Sequence, residues 1–414
     1  MKSYNRTRFA CFSAYFTMSS VFCVPPILFV TFRELYGISY TLLGTLVLTN
    51  FCTQLLVDLI FTAFSKRFNY KIIVRVMPLV TSLGLVMYAL LPTMFPQKAY
   101  LGLLLGTIVF SVASGLSEVL LSPTIAALPS ENPQRDMSTL HSLYAFGVVT
   151  MVVVSTLFLK VFSFENWDYL IYFLAALPVF SALLFLFSPM PDFVSSEPSA
   201  SVSGTKKRTM GLVFCVLCIF FGSCAENVMS NWISSYMENA LGVEKALGDI
   251  LGVAMFAVLL GLARISYARF GKKIFRVLLC GMIGASACYL VVAFSSNTYF
   301  AFAACILTGL CTSMLWPGSL IMMEENLPGM GVAAYALMAA GGDLGASAAP
   351  QLMGVVIDNV SASGFAKDMS ISLGITAEQV GLKVGMFVSA LFPIIGVVVL
   401  LFAIRYFQKN QSMR

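Results

Sequence analysis

Three acidic side chains lie inside stretches of sequence that are otherwise almost entirely apolar. Glu118 and Glu226 occupy the interior of such stretches, and Asp58 lies near the end of another. A charged group at membrane depth is costly, so it faces the protein interior or a water-filled cavity. There a carboxyl group can carry a proton or bind solute hydroxyls. We expect Glu118 to carry a proton, with Asp58 and His141, the only histidine, as the next candidates.

Polar residues at helical spacing accompany these acids. Asn50, Gln54 and Asp58 recur four residues apart, so they share one face of a helix. That face could line a cavity, or Asp58 could only support a cytoplasmic gate. Glu118 also has an alternative role, as a structural partner for a buried donor such as Arg264.

A second polar stripe follows Glu226. Asn227 and Asn231 could bind a solute, or they could serve only to hydrogen-bond helices together. Trp232 and Tyr236 could stack on the apolar face of a sugar, or they could belong to an aromatic belt at the membrane interface. The predicted solute-binding set is Glu226, Asn227, Asn231, Trp232, Tyr236, Asn50, Gln54, Tyr144, Thr312 and Asp343.

The composition requires a lipid environment around these residues. Of 414 residues, 59% are hydrophobic and 11% are charged, whereas a soluble globule carries about 25% charged residues. The ten cysteines lie mostly in apolar runs and are interpreted as core residues rather than disulfides or zinc ligands. The net charge of +6 is attributed to cytoplasmic loops, not to a nucleic-acid surface. We expect no cofactor and no metal site.

Twelve apolar segments can position the polar residues. Each is long enough to cross a hydrocarbon core of about 30 Å as a helix, and alternation typical of a β-barrel is absent. The segments lie near residues 9–32, 39–64, 72–95, 99–128, 137–162, 167–188, 210–237, 245–268, 274–294, 299–321, 331–358 and 384–406. The sequence therefore predicts an all-α integral membrane protein with twelve transmembrane helices.

The loops predict orientation and domain limits. Most Lys and Arg residues fall on one side if both termini are cytoplasmic. A Pro- and Ser-rich stretch, residues 189–209, predicts a cytoplasmic linker between a half at 1–188 and a half at 210–414. A polar stretch at about 360–383 is predicted to be an outer loop.

An internal repeat relates the two halves. Gly115, Pro123 and Gly147 recur, without a gap, as Gly309, Pro317 and Gly341, together with six further identities in between. Two related halves in a membrane protein predict a working site near the bilayer midplane, where the halves meet.

Basic loops after segments 2 and 8 carry a family resemblance. They read Lys66-Arg67-Phe68-Asn69-Tyr70-Lys71 and Arg269-Phe270-Gly271-Lys272-Lys273. Together with the six-plus-six arrangement, they resemble the loop signature G-x-x-x-D-R-x-G-R-K of the major facilitator superfamily, although the signature Asp is missing from both. The resemblance implies the major facilitator fold, with two pseudo-symmetric six-helix halves.

Within that superfamily, the chain is most similar to the fucose–galactose–hexose permease branch. Glu118 precedes Pro123 by five residues, as in that branch's E-x-x-x-x-P motif. The other matching positions are Leu140-His141, Gly147, Gly222, Glu226, Trp232, Tyr236, Gly309, Ser313, Pro317, Gly341-Gly342, Pro350, Gly354 and Asp358. Helix 1 departs from the pattern because residues 19–26 contain no acid, which puts fucose as the substrate in doubt and requires another residue for proton coupling.

The charged loops also predict a cytoplasmic gate. Basic residues of one half would pair with acidic residues of the other and close the inner side during transport. The predicted gate residues are Lys66, Arg67, Arg269, Lys272, Glu131, Asp136, Glu324 and Glu325.

These features predict a secondary active transporter of a small polar solute, a sugar, that works by alternating access and is coupled to protons or sodium. It is expected to be a monomer in the bacterial inner membrane. Efflux of small amphipathic compounds is the alternative, because 35 Phe and 22 Met residues would suit an adaptable pocket. A nutrient-sensing scaffold is disfavoured by short termini. An enzyme is disfavoured because HExxH and G-x-S-x-G motifs and Asp/Glu pairs at metal-ligand spacing are absent. The absence of a Walker loop excludes ATP as the direct energy source.

Overall fold

The structure, a computed structural model, describes residues 4–64, 68–130, 133–191, 206–270, 273–327 and 332–411. Throughout those ranges the regular secondary structure is helical. Within the described part of the chain, ten helices are long and apolar enough to cross a membrane, and Phe146–Phe162 is a shorter apolar helical stretch. The prediction of an all-α membrane protein is confirmed, while the count of twelve spanning helices stays a prediction.

The chain divides into two compact units. Unit 1 comprises residues 1–38 and 49–195, and unit 2 comprises residues 39–48 and 196–414. The first residues of the second predicted segment belong with unit 2, and the predicted domain limits stay a prediction. The helices of unit 1 are α1 (Asn5–Ile27), α2 (Phe29–Tyr36), most of α3 (Tyr40–Phe64), α4 (Tyr70–Met94), α5 (Ala99–Ala126), α6 (Pro133–Phe162) and α7 (Trp167–Leu186).

Unit 2 contains the start of α3 and the remaining helices. These are α8 (Lys206–Asn239), α9 (Lys245–Leu247), α10 (Met255–Phe270), α11 (Ile274–Phe294), α12 (Thr298–Thr312), α13 (Leu315–Asn326), α14 (Val332–Ser361), α15 (Gly364–Leu373) and α16 (Ala377–Gln411). A π-helical segment, Gly248–Ala254, joins α9 to α10. Insertions of this kind are rare in helices and are frequent at functional sites.

Glycines allow α4 and α5 of unit 1 to approach closely. A Cβ on Gly84 would lie 2.4 Å from the backbone nitrogen of Phe110, and a Cβ on Gly106 would lie 2.5 Å from the Cα of Tyr88. Only a residue without a side chain fits such a contact. Tyr88 also packs edge-on against Trp167, with ring centroids 6.3 Å apart, so the same contact organises the aromatic core of unit 1.

The core of unit 2 is apolar and includes two cysteines at C-x-x-C spacing. Cys215 and Cys218 are free thiols, and both are buried among Leu, Ile and Met side chains. Free cysteines in such surroundings behave as small hydrophobic residues. Close packing of α8 on α14 depends on Gly345, where a Cβ would lie 2.4 Å from the carbonyl oxygen of Phe220.

The predicted outer loop at about 360–383 is wrong in part, because it contains α15 and the first turns of α16. Ser363 caps α15 by accepting a hydrogen bond from the amide of Ala366, at 3.2 Å. Gly374 ends α15 in the left-handed conformation, with φ 65°. Both are ordinary helix-capping signals, and a prediction based on hydropathy does not take them into account.

Candidate functional site

A charge pair at membrane depth marks the polar interior of unit 2. Arg264 in α10 lies beside Glu226 in α8, with Nη2 3.3 Å from one carboxylate oxygen and 3.4 Å from the other. The arginine side chain is 40% exposed and the glutamate side chain 21%. The pair is therefore accessible, and it neutralises two charges that would be costly alone in lipid.

A helix break fixes the position of Arg264. The backbone carbonyl of Ser313 would normally accept a hydrogen bond from the residue four positions later, but that residue is Pro317, which has no N–H. The chain breaks there between α12 and α13. Arg264 Nε donates to this carbonyl oxygen at 2.8 Å, which satisfies the acceptor and orients the guanidinium.

The amides after Glu226 extend the polar face along α8. Asn227 Nδ2 donates to the carbonyl oxygen of Ser223 at 3.1 Å, and Asn231 Nδ2 donates to that of Asn227 at 2.8 Å. Neither amide oxygen accepts a hydrogen bond from any residue that the structure describes. Asn227 and Ser230 are half-buried, so they can contact a solute, whereas Asn231 is buried.

Three predicted solute ligands lie instead in the packed core of unit 2. Trp232 is fully buried and donates from Nε1 to the carbonyl oxygen of Pro350 at 3.1 Å. Tyr236 is fully buried and donates to the carbonyl oxygen of Val292 at 2.7 Å. Thr312 is buried, and its hydroxyl donates to the carbonyl oxygen of Thr308 at 2.9 Å. We therefore do not retain these side chains in the candidate site. Asp343 is half-buried in α14.

A buried amide network lies in unit 1. Asn50 Oδ1 accepts hydrogen bonds from Ser111 Oγ at 2.7 Å and from Gln54 Nε2 at 2.9 Å. Asn50 and Gln54 are 7% and 3% exposed. This geometry agrees with the alternative of interhelical hydrogen bonding, because the network links α3 to α5 and leaves little of either amide for a solute.

Glu118 lies on the same face of α5 as Ser111 and is exposed. It is close enough to Asp58 in α3 and Tyr15 in α1 for its charge to act on both. Its surroundings in unit 1 are thus a second acid and a phenol, while Arg264 pairs with Glu226. The alternative that Glu118 is a structural partner for a buried donor stays a prediction.

Several predicted residues lie partly or wholly outside the described part of the chain. Residues 66, 67, 131 and 272 fall in the gaps, and the side chains of His141, Tyr144 and Arg269 are also outside it. Asp136 pairs with Arg8 in its own unit, with Oδ2 2.9 Å from Nε. Glu324 and Glu325 are exposed at the end of α13. The gate stays a prediction.

Unit 2 also contains a buried charge cluster whose residues are not among those predicted from the sequence. Asp249, in the π-helical segment, is fully buried and accepts a short hydrogen bond from Ser234. Lys245 Nζ lies 3.4 Å from Asp249 and 3.6 Å from Glu238. The signal was present, because Lys245 and Asp249 are four residues apart at the head of an apolar run.

Comparison with known proteins identifies the family of this chain. A family model described as Major Facilitator Superfamily matches residues 9–350. The chain belongs to the major facilitator superfamily. Members of the major facilitator superfamily are transporters, so the chain is a multi-pass membrane transport protein. Comparison with curated protein sequences gives no significant match.

Solved structures similar to this major facilitator protein are also transporters. A bacterial homologue of the human lysosomal transporter Spinster has a TM-score of 0.78 at 15% identity, covering 99% of each chain. A D-xylose–proton symporter has a TM-score of 0.70 at 14% identity, covering 94% of this chain and 97% of its own. The E. coli fucose–proton symporter has a TM-score of 0.59 at 16% identity, with 97% and 99% coverage. At these identities the likeness establishes the fold alone.

Proposed function

We propose that this transporter moves a small hydroxylated solute, a sugar, across the bacterial inner membrane together with a proton, by alternating access. The observation that carries the proposal is the accessible polar face around Glu226 and Arg264. Asn227 adds an amide oxygen that is available to a solute hydroxyl. A hydroxylated solute can replace its hydration with the donors and acceptors of such a face.

The proton is assigned to Glu118. Glu118 is an exposed residue of the apolar helix α5, and its charge acts on a second acid, Asp58. No basic residue is paired with Glu118 among the described salt bridges. A carboxyl group that no described basic residue neutralises is suited to load and release a proton. Two structurally similar transporters, one for fucose and one for D-xylose, are proton symporters, which supports the same choice.

The test separates coupling from solute binding in reconstituted vesicles. Glu118→Gln should abolish accumulation driven by a proton gradient and leave solute exchange intact. Glu226→Gln should weaken solute binding. Glu165→Gln, the same change at an exposed acid between α6 and α7, is the matched control and should alter neither.

Two results would contradict the assignment. Accumulation by Glu118→Gln under a proton gradient would show that another group carries the proton. Accumulation driven only by a sodium gradient would replace the proton as the coupling ion.

A further inference from the structure

The contacts of Arg264 leave part of its guanidinium available. A guanidinium carries five N–H donors in a fixed planar fork. Nε is used by the carbonyl oxygen of Ser313, and both oxygens of Glu226 lie near Nη2 alone, at 3.3 and 3.4 Å. No hydrogen bond from Nη1 to a residue in the described ranges is formed.

The pairing with Glu226 is also looser than a side-on ion pair. In a bidentate arginine–carboxylate pair, two guanidinium nitrogens each donate to one oxygen, at about 2.7–2.9 Å. Here one nitrogen serves both oxygens at longer distances. Glu226 therefore offsets the charge of Arg264 without occupying the face of the fork that a second carboxylate would need.

Building on the proposed function, we infer that Arg264 is the specificity-determining residue and that the solute carries a carboxylate, as a sugar acid does. The fork is already held in place by a backbone acceptor, so little side-chain freedom is lost when the solute binds. The 40% exposure of the side chain gives the solute access. The hydroxyl groups of a sugar acid would face the amide oxygen of Asn227.

A carboxylate suits this site better than a neutral or doubly charged group. A neutral sugar would not use the charge of the guanidinium donors that Glu226 and Ser313 leave available, because uncharged amides bind hydroxyl groups equally well. A phosphate monoester would bring nearly two negative charges beside Glu226 against a single arginine. A single carboxylate brings one negative charge and matches the planar geometry of the fork.

The experiment uses matched ligand pairs that differ at one carbon. Binding of D-glucuronate and D-glucose, and of D-galacturonate and D-galactose, is measured on the purified full-length protein in detergent. Wild type should bind the uronate of each pair at least about tenfold more tightly, since a hydrogen bond to a charged group contributes that much. Arg264→Gln should remove this preference, and Arg264→Lys should retain part of it.

Controls distinguish recognition from folding. Arg276→Gln changes an exposed arginine near the start of α11 and should preserve the preference. Unfolding temperatures without ligand show whether Arg264→Gln folds. Arg264→Lys keeps a donor for the carbonyl oxygen of Ser313, so its ligand preference tests recognition even where Arg264→Gln is unstable.

The outcomes separate this inference from the proposed function. Equal binding of uronate and neutral sugar by wild type, or equal losses for both in Arg264→Gln, would overturn the inference. Accumulation of the neutral sugar alone would do the same while the proposed function stands. Uronate binding without accumulation under a proton gradient would instead count against coupling. Binding of neither member of any pair would contradict both.

Discussion

Asp358 in α14 caps the first turn of α3 through Tyr40. Its Oδ1 accepts a hydrogen bond from the backbone N–H of Tyr40 at 3.1 Å, and its Oδ2 accepts one from Thr41 at 2.6 Å. Ser39 accepts a third, from the amide of Leu42 at 3.3 Å. The first N–H groups of a helix have no partner within the helix, and a carboxylate there also interacts favourably with the helix dipole.

Removal of this cap should destabilise unit 2. Asp358→Ala should lower the free energy of unfolding by about 1–2 kcal/mol, the usual range for a lost helix cap. The measurement is thermal unfolding of the purified protein in detergent. Asp368→Ala, at an exposed acid in α15, is the control and should have little effect. Equal unfolding temperatures for the two variants would show that the cap contributes nothing.

The space around each glycine predicts whether its replacement by alanine lowers or raises the free energy of unfolding. Gly84→Ala would place a Cβ 2.4 Å from a backbone nitrogen, so the helices must separate. We expect a loss of about 1–3 kcal/mol from overpacking. Gly261→Ala, where nothing lies within 4 Å, should instead stabilise α10 by about 0.5–1 kcal/mol. Both are read from thermal unfolding, and a neutral Gly84→Ala would mean that α4 and α5 separate without cost.

The free energy of unfolding should depend on which residue of the cluster around Asp249 is replaced. Lys245→Met takes the nearest cation from two acids, one of them fully buried. We expect a loss of about 3–5 kcal/mol, as for other broken buried pairs. Asp249→Asn should cost less, because Asn can still accept from Ser234 and Lys245 keeps Glu238. The double variant Lys245→Met/Asp249→Asn should be more stable than Lys245→Met alone, and the reverse order would refute this account.

The predicted gate can be tested by reversing charge at α13. Glu324→Lys together with Glu325→Lys should favour the inward-open state, because the acids would no longer attract basic loops. Single surface pairs contribute about 0–1 kcal/mol, so both are changed together. The readout is labelling of introduced cysteines from each side of the membrane. The double control Glu34→Lys/Glu165→Lys reverses exposed acids elsewhere. Unchanged labelling in the α13 variant would place the gate elsewhere.

The orientation can be tested at residue 201. The excess of Lys and Arg on one side predicts that the linker is cytoplasmic. In a background without the exposed Cys52 and Cys280, Ser201→Cys should resist an impermeant thiol reagent in intact cells. It should react once the membrane is permeabilised. Labelling from outside would reverse the topology.

Hydropathy predicted the helices well where a single apolar run forms a single helix. The segment predicted at 274–294 coincides with α11, Ile274–Phe294. It did not predict the π-helical segment at Gly248–Ala254, because an inserted residue leaves the apolar composition unchanged. The break after Thr312 was signalled by Pro317, but the sequence could not show which donor would satisfy the freed carbonyl.

The residue types of the candidate site could be predicted from the sequence, but the contacts between those residues could not. The cost of charge in lipid singled out Glu118 and Glu226, which the structure places in the apolar helices α5 and α8. It could not show that Trp232 is fully buried while Asn227 is half-buried, because helix periodicity places the two on different faces of α8 but does not tell which face packs on α14. The assignment of Arg264 to Glu226 likewise depends on how α8 and α10 pack, which no local pattern encodes.

The acceptor that holds Arg264 is a main-chain carbonyl, so the amino acid at position 313 does not specify it. Over evolutionary time, Ser313 can be replaced by small residues that fit its buried position and adopt its backbone conformation, and the anchor persists. The residue that determines this anchor is Pro317, four positions later in the sequence. A change of Pro317 to any other residue restores an amide that competes for the same oxygen and frees the guanidinium to turn. Diversity at 313 with an invariant proline at 317 is therefore the pattern expected among descendants that keep this arginine.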